Sequence, residues 1–199
     1  MIARLAGICA GALLIVGCAH KAEVGSTSAA YEVRRDRVQS TKAYVAVSGD
    51  LATLQKVVKP GQICGAHNYP LSVGPAIKTS IVRTVSAAHQ SVVPIQTSGE
   101  SGKDGVLYTF ALDDFNPRLR FQPGFFIGTA DASVELSIRT TAVSPEGREL
   151  ATTTVRGFGQ ESIEGECPVG AEALSKATEK AVRVSLENFV ARVINQRLD

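Results

Sequence analysis

The sequence predicts an α+β fold, a mainly antiparallel sheet with two helices laid on one face. Three observations predict it. Two stretches, near residues 72–89 and 169–196, place apolar side chains at every third or fourth position. Between residues 106 and 158 apolar and polar side chains alternate in successive runs, the signature of half-buried strands. The strands come in a run with the two helices set apart, whereas a doubly wound parallel sheet needs strand and helix to alternate.

The chain opens MIARLAGICAGALLIVGCA, with Arg4 as its one charge and an uninterrupted apolar and small run from Leu5 to Gly17. A positive start followed by a run of this length reads as an export signal. It falls short of the roughly 20 apolar residues that cross a bilayer, and His20 and Lys21 follow at once. The run closes on Ile15-Val16-Gly17-Cys18, which resembles the lipobox of bacterial lipoproteins. The resemblance implies cleavage after Gly17, diacylglycerol on the Cys18 sulfur and, in many bacteria, a third acyl chain on the new amino group. Two or more chains give stable attachment, since each buried CH₂ contributes about 0.8 kcal/mol. Ala19, where Asp would favour retention at the inner membrane, implies by the same resemblance an outer-membrane anchor facing the periplasm.

Three segments follow: residues 1–17 as signal peptide, 18–42 as the lipidated cysteine and a flexible tether, and 43–199 as one domain. The tether is expected because His20 to Lys42 is polar, rich in Ser, Thr and Ala, then charged, with no sustained apolar period.

Within the domain, Ala43 to Ser48 is rich in strand formers and stops at Gly49-Asp50. Leu51 to Val58 fits a short helix or a strand, closed by Pro60-Gly61. Ser72 can cap a helix over 72–89 with Pro75 in its first turn; Val73, Ile77, Ile81 and Val85 form its buried stripe. Val92 to Ile95 is a short strand, and Pro94 places it near an edge. Val106–Leu112 is a strand, Asp113-Asp114 ends it and begins a turn, and 115–121 alternates again. Ala132–Ile138 and Leu150–Phe158, joined by Pro145-Glu146-Gly147, form the most secure hairpin. Over Val169 to Gln196 the apolar stripe rotates midway, from Leu174, Ala177 and Ala181 to Phe189, Val190 and Val193. The helix therefore bends or meets two surfaces.

A net charge of +2 argues against nucleic acid as a partner, and the absence of Trp, with 6% aromatics, weakens a sugar-stacking role. Cys64 and Cys167 remain in the domain, in an oxidising compartment that favours a disulfide. Closing a loop of about a hundred residues stabilises by roughly 4–5 kcal/mol in the chain-entropy model.

The order of elements, together with the lipobox, resembles the small lipoproteins of the YajG and LptE type and the auxiliary lipoproteins of some ABC transporters. The specific match is Cys18 in its motif; the rest is element order. The resemblance implies an envelope component that binds protein or lipid, without enzymatic activity or cofactor.

Candidate chemistry is thin. Cys64, His67, His89 and Cys167 could hold zinc only if all four converged. Cys64 is no nucleophile once oxidised. Asp113 and Asp114 are neighbours on one strand and point apart, so a shared acid/base or cation site is not expected of them. No serine sits in a G-x-S-x-G elbow, and Gly157-Phe158-Gly159 lacks the rest of a phosphate loop. No catalytic set and no metal ligand set is therefore assigned. The expected contact surface is Phe125, Phe126 and Ile127, in a connection bounded by Pro123-Gly124 and Gly128, with Arg118 and Arg120 beside it. The alternative is that these rings fold back under the long helix. The expected partners are the membrane, through the anchor, and another envelope protein. The runner-up is a transport auxiliary holding an acyl chain between sheet and helices; a lipid-anchored hydrolase ranks below both.

Overall fold

The computed structural model describes residues 18–96, 104–125 and 127–196, with Arg37 and Ser40 described by backbone alone. The expected signal peptide, residues 1–17, and Phe126 lie outside the described residues. In chain order the elements are β1 (Ala22–Glu23), β2 (Gln39–Val47), α1 (Gly49–Ala52), β3 (Gln55–Val58), β4 (Tyr69–Ser72), α2 (Gly74–Ser86), β5 (His89–Ile95), β6 (Gly105–Gln122), β7 (Thr129–Val143), β8 (Glu149–Glu164) and α3 (Val169–Phe189). The ambiguous stretch 51–58 divides into the end of α1 and the strand β3.

The fold is α+β with two sheets. The larger runs β5-β2-β6-β7-β8 and the smaller β1-β4-β3. The expectation of a mainly antiparallel sheet holds for β6, β7 and β8, which form a long meander. It fails at β2, which is parallel to both neighbours. For β5 the cause is α2: a helix ahead of the strand returns the chain to the end it left, so β5 enters beside β2 in the same direction. β5 takes the edge, as Pro94 requires. The small sheet was not expected, because β1 has two residues and β4 carries Pro70.

The stripe Val73, Ile77, Ile81 and Val85 is fully buried. α2 begins at Gly74 with no side-chain cap, and Ser72 belongs to β4 instead. Asp113-Asp114 is no turn: β6 continues through it for 18 residues, with a register shift between Leu112 and Asp114. Asp113 accepts an ion pair from Arg139 at 3.1 Å.

α3 lies on β6, β7 and β8, α2 packs on β2 and β5, and the two helices meet. Gly157 and Gly159 face α3, where a Cβ would stand 1.9 Å from the carbonyls of Ala181 and Ala177. The helix backbone thus lies directly on β8. Leu174, Leu186 and Phe189 are buried, each side chain contributing about 1.5–3 kcal/mol. The rotated stripe has a concrete form: after Phe189 the helix closes as a π-turn over Val190–Ile194, with Asn195 N–H on the Val190 carbonyl. The wider turn brings Val190, Val193 and Ile194 all into the core.

The expected flexible tether is corrected by the structure. From Ala19 to Lys42 the chain is laid against the domain, and Ala22 and Ala29 are buried. Ala22 pairs with Leu71. Ser80 Oγ and Thr84 Oγ1, one turn apart on α2, accept the backbone N–H groups of Thr27 and Ala29 at 2.9 and 3.2 Å. Glu179 on α3 accepts from Gly25 N–H at 2.6 Å, and Asn195 binds both Arg34 N–H and the Glu32 carbonyl. Residues 39–42 are the first part of β2. A polar segment is held here by hydroxyl, carboxylate and amide groups on the two helices and just beyond α3, a mode that leaves no apolar period to read.

Candidate lipid attachment site and contact surface

Cys18 is exposed and, among the described residues, the one free cysteine. Its carbonyl accepts the Asn68 N–H at 3.0 Å, and the Asn68 carbonyl accepts from His20 N–H at 2.9 Å. His20 Nε2 meets His67 Nδ1 at 2.8 Å, and the two rings stack at 5.0 Å. The His67 N–H donates to the Cys64 carbonyl at 2.9 Å.

Cys64 and Cys167 form the expected disulfide, with Cα atoms 5.7 Å apart across a sequence separation of 103. Cys64 sits at φ 58°, in the left-handed region. Tyr69 donates its hydroxyl to the Cys167 carbonyl at 2.7 Å, and burial pushes its phenol up to about 12.

The four residues considered for zinc do not converge. Both cysteines are in the disulfide, His67 is stacked on His20, and His89 is elsewhere. His89 is buried, with Nδ1 3.2 Å from the Thr41 carbonyl and Nε2 3.0 Å from the Tyr108 hydroxyl. A carbonyl can only accept, so Nδ1 carries the proton and Tyr108 donates to Nε2. Burial holds the imidazole below its usual value of 6.5. Among the described residues no three His, Cys, Asp or Glu side chains group as a metal site.

The β6–β7 connection behaves as a surface feature. Phe125 is 94% exposed and Ile127 60%. For Phe125 the alternative, a ring folded under the long helix, is excluded. The space beneath the helix is filled by Phe189, whose ring lies 5.0 Å from Phe110 and 5.8 Å from Tyr108.

Arg118 and Arg120 stand two residues apart on β6, so both face outward beside Ser133 and Asp131 of β7. They line a groove of about 810 Å³ whose opposite wall is Lys56 to Lys59 and Gly61. The lining holds four cationic side chains, Lys56, Lys59, Arg118 and Arg120, and one carboxylate, Asp131. Asp131 is already engaged by Gln122 Nε2 at 2.5 Å and Ser162 Oγ at 2.6 Å. Among the described residues no ion pair involves any of the four cations. Sequence reasoning found the two arginines and missed the two lysines. Lys56 comes to the groove because β3 borders the part of β6 beyond β2, where its ammonium donates to the Phe115 carbonyl at 3.2 Å.

No family model matches the chain, and no curated protein does. Among solved structures it is similar to a minor lipoprotein from Acinetobacter baumannii, at 8% identity and TM-score 0.40, over 78% of this chain and 92% of that one. It is also similar to a neuraminyllactose-binding hemagglutinin homolog from Helicobacter pylori, at 6% identity and TM-score 0.41, over 78% of this chain and 84% of that one.

Proposed function

We propose that this chain is a lipid-anchored envelope protein that works by binding, without catalysis, held through Cys18 to the outer membrane and facing the periplasm. The observation that carries the reading is the thiol of Cys18, which closes the Ile15-Val16-Gly17-Cys18 motif and is exposed. The contact surface has two parts. The Arg118–Arg120 groove, with Lys56 and Lys59 opposite, suits an anionic segment of an envelope partner: guanidinium groups bind carboxylate and phosphate in bidentate fashion, and a cationic cleft steers such a partner in. Phe125 and Ile127 supply an apolar part, open to protein or lipid. An acyl chain between sheet and helices is disfavoured, since Phe189, Phe110 and Tyr108 occupy that space.

The anchor is tested by the mass of the N-terminal peptide from envelope fractions, expected to begin at an acylated Cys18. Cys18→Ser should leave an uncleaved precursor; normal processing and release would end the lipoprotein reading. The groove is tested by a photo-crosslinker placed at residue 133, opposite Arg118. A discrete adduct should form, and Arg118→Glu with Arg120→Glu should abolish it while stability moves by no more than about 0.5 kcal/mol. An adduct indifferent to both reversals would remove the groove from the function.

A further inference from the structure

We infer that the end of the domain carrying Cys18 rests in the bilayer surface, with Phe125, Ile127 and Ile63 dipping into the headgroup boundary. The inference deepens the lipid-anchor reading and rests on it.

The anchor has no slack. The Cys18 carbonyl is bonded to Asn68, Ala19 bridges to Asn68, and Ala22 is paired with Leu71. Acyl chains on the Cys18 sulfur would leave from the surface of the folded domain, not from the end of a leash. A domain held this closely must press one end against the lipid.

The apolar residues lie at that end, and a short series of contacts traces it. Cys18 touches Asn68; His67, next to Asn68, donates to Cys64. Ile63 precedes Cys64, which is bonded to Cys167. Two residues before Cys167, Gly165 N–H donates to the Gly128 carbonyl at 2.9 Å, closing the connection that carries Phe125 and Ile127. Ile63 is 42% exposed, and with Phe125 and Ile127 it makes three of the seven exposed large apolar side chains among the described residues. These three come from segments about 60 positions apart in sequence and are brought to one end by the disulfide and the β6–β7 hairpin. The connection is shaped to project. A Cβ on Gly124 would fall 1.8 Å from the Ile127 carbonyl, so the turn is closed tightly behind Phe125.

Charge at this end is mixed: Lys21 and Glu23 are exposed beside Cys18, and so are Glu164 and Glu166. Attraction to anionic headgroups is therefore not the organising force. The fit is apolar insertion beside acyl chains already in the membrane, which neutral lipid suffices to provide. This leaves the Arg118–Arg120 groove for the partner.

The chain contains no Trp, so Phe125→Trp introduces a single reporter. The acylated protein, processed to begin at Cys18, would be reconstituted into phosphatidylcholine–phosphatidylethanolamine vesicles, some brominated on their acyl chains near the headgroups. The tryptophan of Phe125→Trp should lose most of its emission to brominated lipid, shift to the blue and resist aqueous acrylamide. Phe158→Trp, on the outward face of β8 away from this end, should do the reverse. Ile127→Trp repeats the test from the other side of the turn. Acylation of Cys18 is read by mass in the same samples. An acylated chain whose residue-125 reporter ignores brominated lipid and stays open to acrylamide overturns the inference and leaves the anchor standing. A reporter shielded only on addition of an envelope protein assigns this end to a protein partner and overturns it too. A chain with no acyl group on Cys18 overturns both.

Discussion

Asn68 donates its backbone N–H to the carbonyl of Cys18 at 3.0 Å and takes the N–H of His20 on its own carbonyl at 2.9 Å. This two-sided grip fastens Cys18 to the residue that leads into β4. It turns the segment behind it, residues 19–42, into part of the domain.

The first prediction concerns that segment. Ala29 has no accessible surface. Ala29→Glu would place an unpaired carboxylate between the segment and α2, and it should lower stability by about 3 kcal/mol. Urea denaturation measures it. An unchanged midpoint would mean that the segment leaves the domain freely.

The disulfide gives the second. Cys64 and Cys167 should resist alkylation until a reductant is added. Replacing both with Ala should lower stability by roughly 4 kcal/mol, the chain-entropy value for a loop of this length. Labelling of either thiol in the folded, unreduced protein would rule the bridge out.

Close packing gives the third. A side chain at residue 157 must enter space already held by the Ala181 carbonyl and Ser185. Gly157→Val should push α3 off β8 and lower stability by about 3 kcal/mol, while Phe158→Ser, on the outward face, should change it little. Equal effects would show that the helix does not lie on this strand as described.

The fourth is a pH dependence. Burial holds His89 below 6.5 in the folded state. As pH falls below 6.5 the unfolded chain takes up a proton that the folded chain refuses. The contribution of His89 to stability is therefore present above 6.5 and is lost progressively as pH falls toward the lowered native value. Urea midpoints taken across that range should fall with pH for the parent chain and fall less for His89→Gln. Parallel curves would exclude His89 as the cause.

How much of this was legible depended on whether the physics was local. The stripe Val73, Ile77, Ile81 and Val85 could be read because helical periodicity records which side is buried. The alternation across β6, β7 and β8 could be read for the same reason at period two, and the rotation of the stripe along α3 showed that it bends or meets two surfaces, though not that it closes as a π-turn. The Cys64–Cys167 bridge followed from compartment and count.

What could not be read is whatever depends on one segment meeting another. The parallel pairing of β5 with β2 comes from the crossover through α2. Ser80 and Thr84 look like ordinary helix residues until the backbone of Thr27 and Ala29 arrives to be held. Lys56 and Lys59 carry no signal that they will face Arg118 and Arg120, because a groove belongs to two walls and each wall is silent about the other. By itself the sequence determined the Cys18 motif, the helices α2 and α3, the β7–β8 hairpin and the cysteine pair, since each rests on short-range chemistry or repeating burial. Tertiary structure alone decided that the segment behind Cys18 is packed, that Phe125, Ile127 and Ile63 share the end of the molecule with it, and that four cations line one groove. Those are relations in space between residues dozens of positions apart, and no local pattern encodes them.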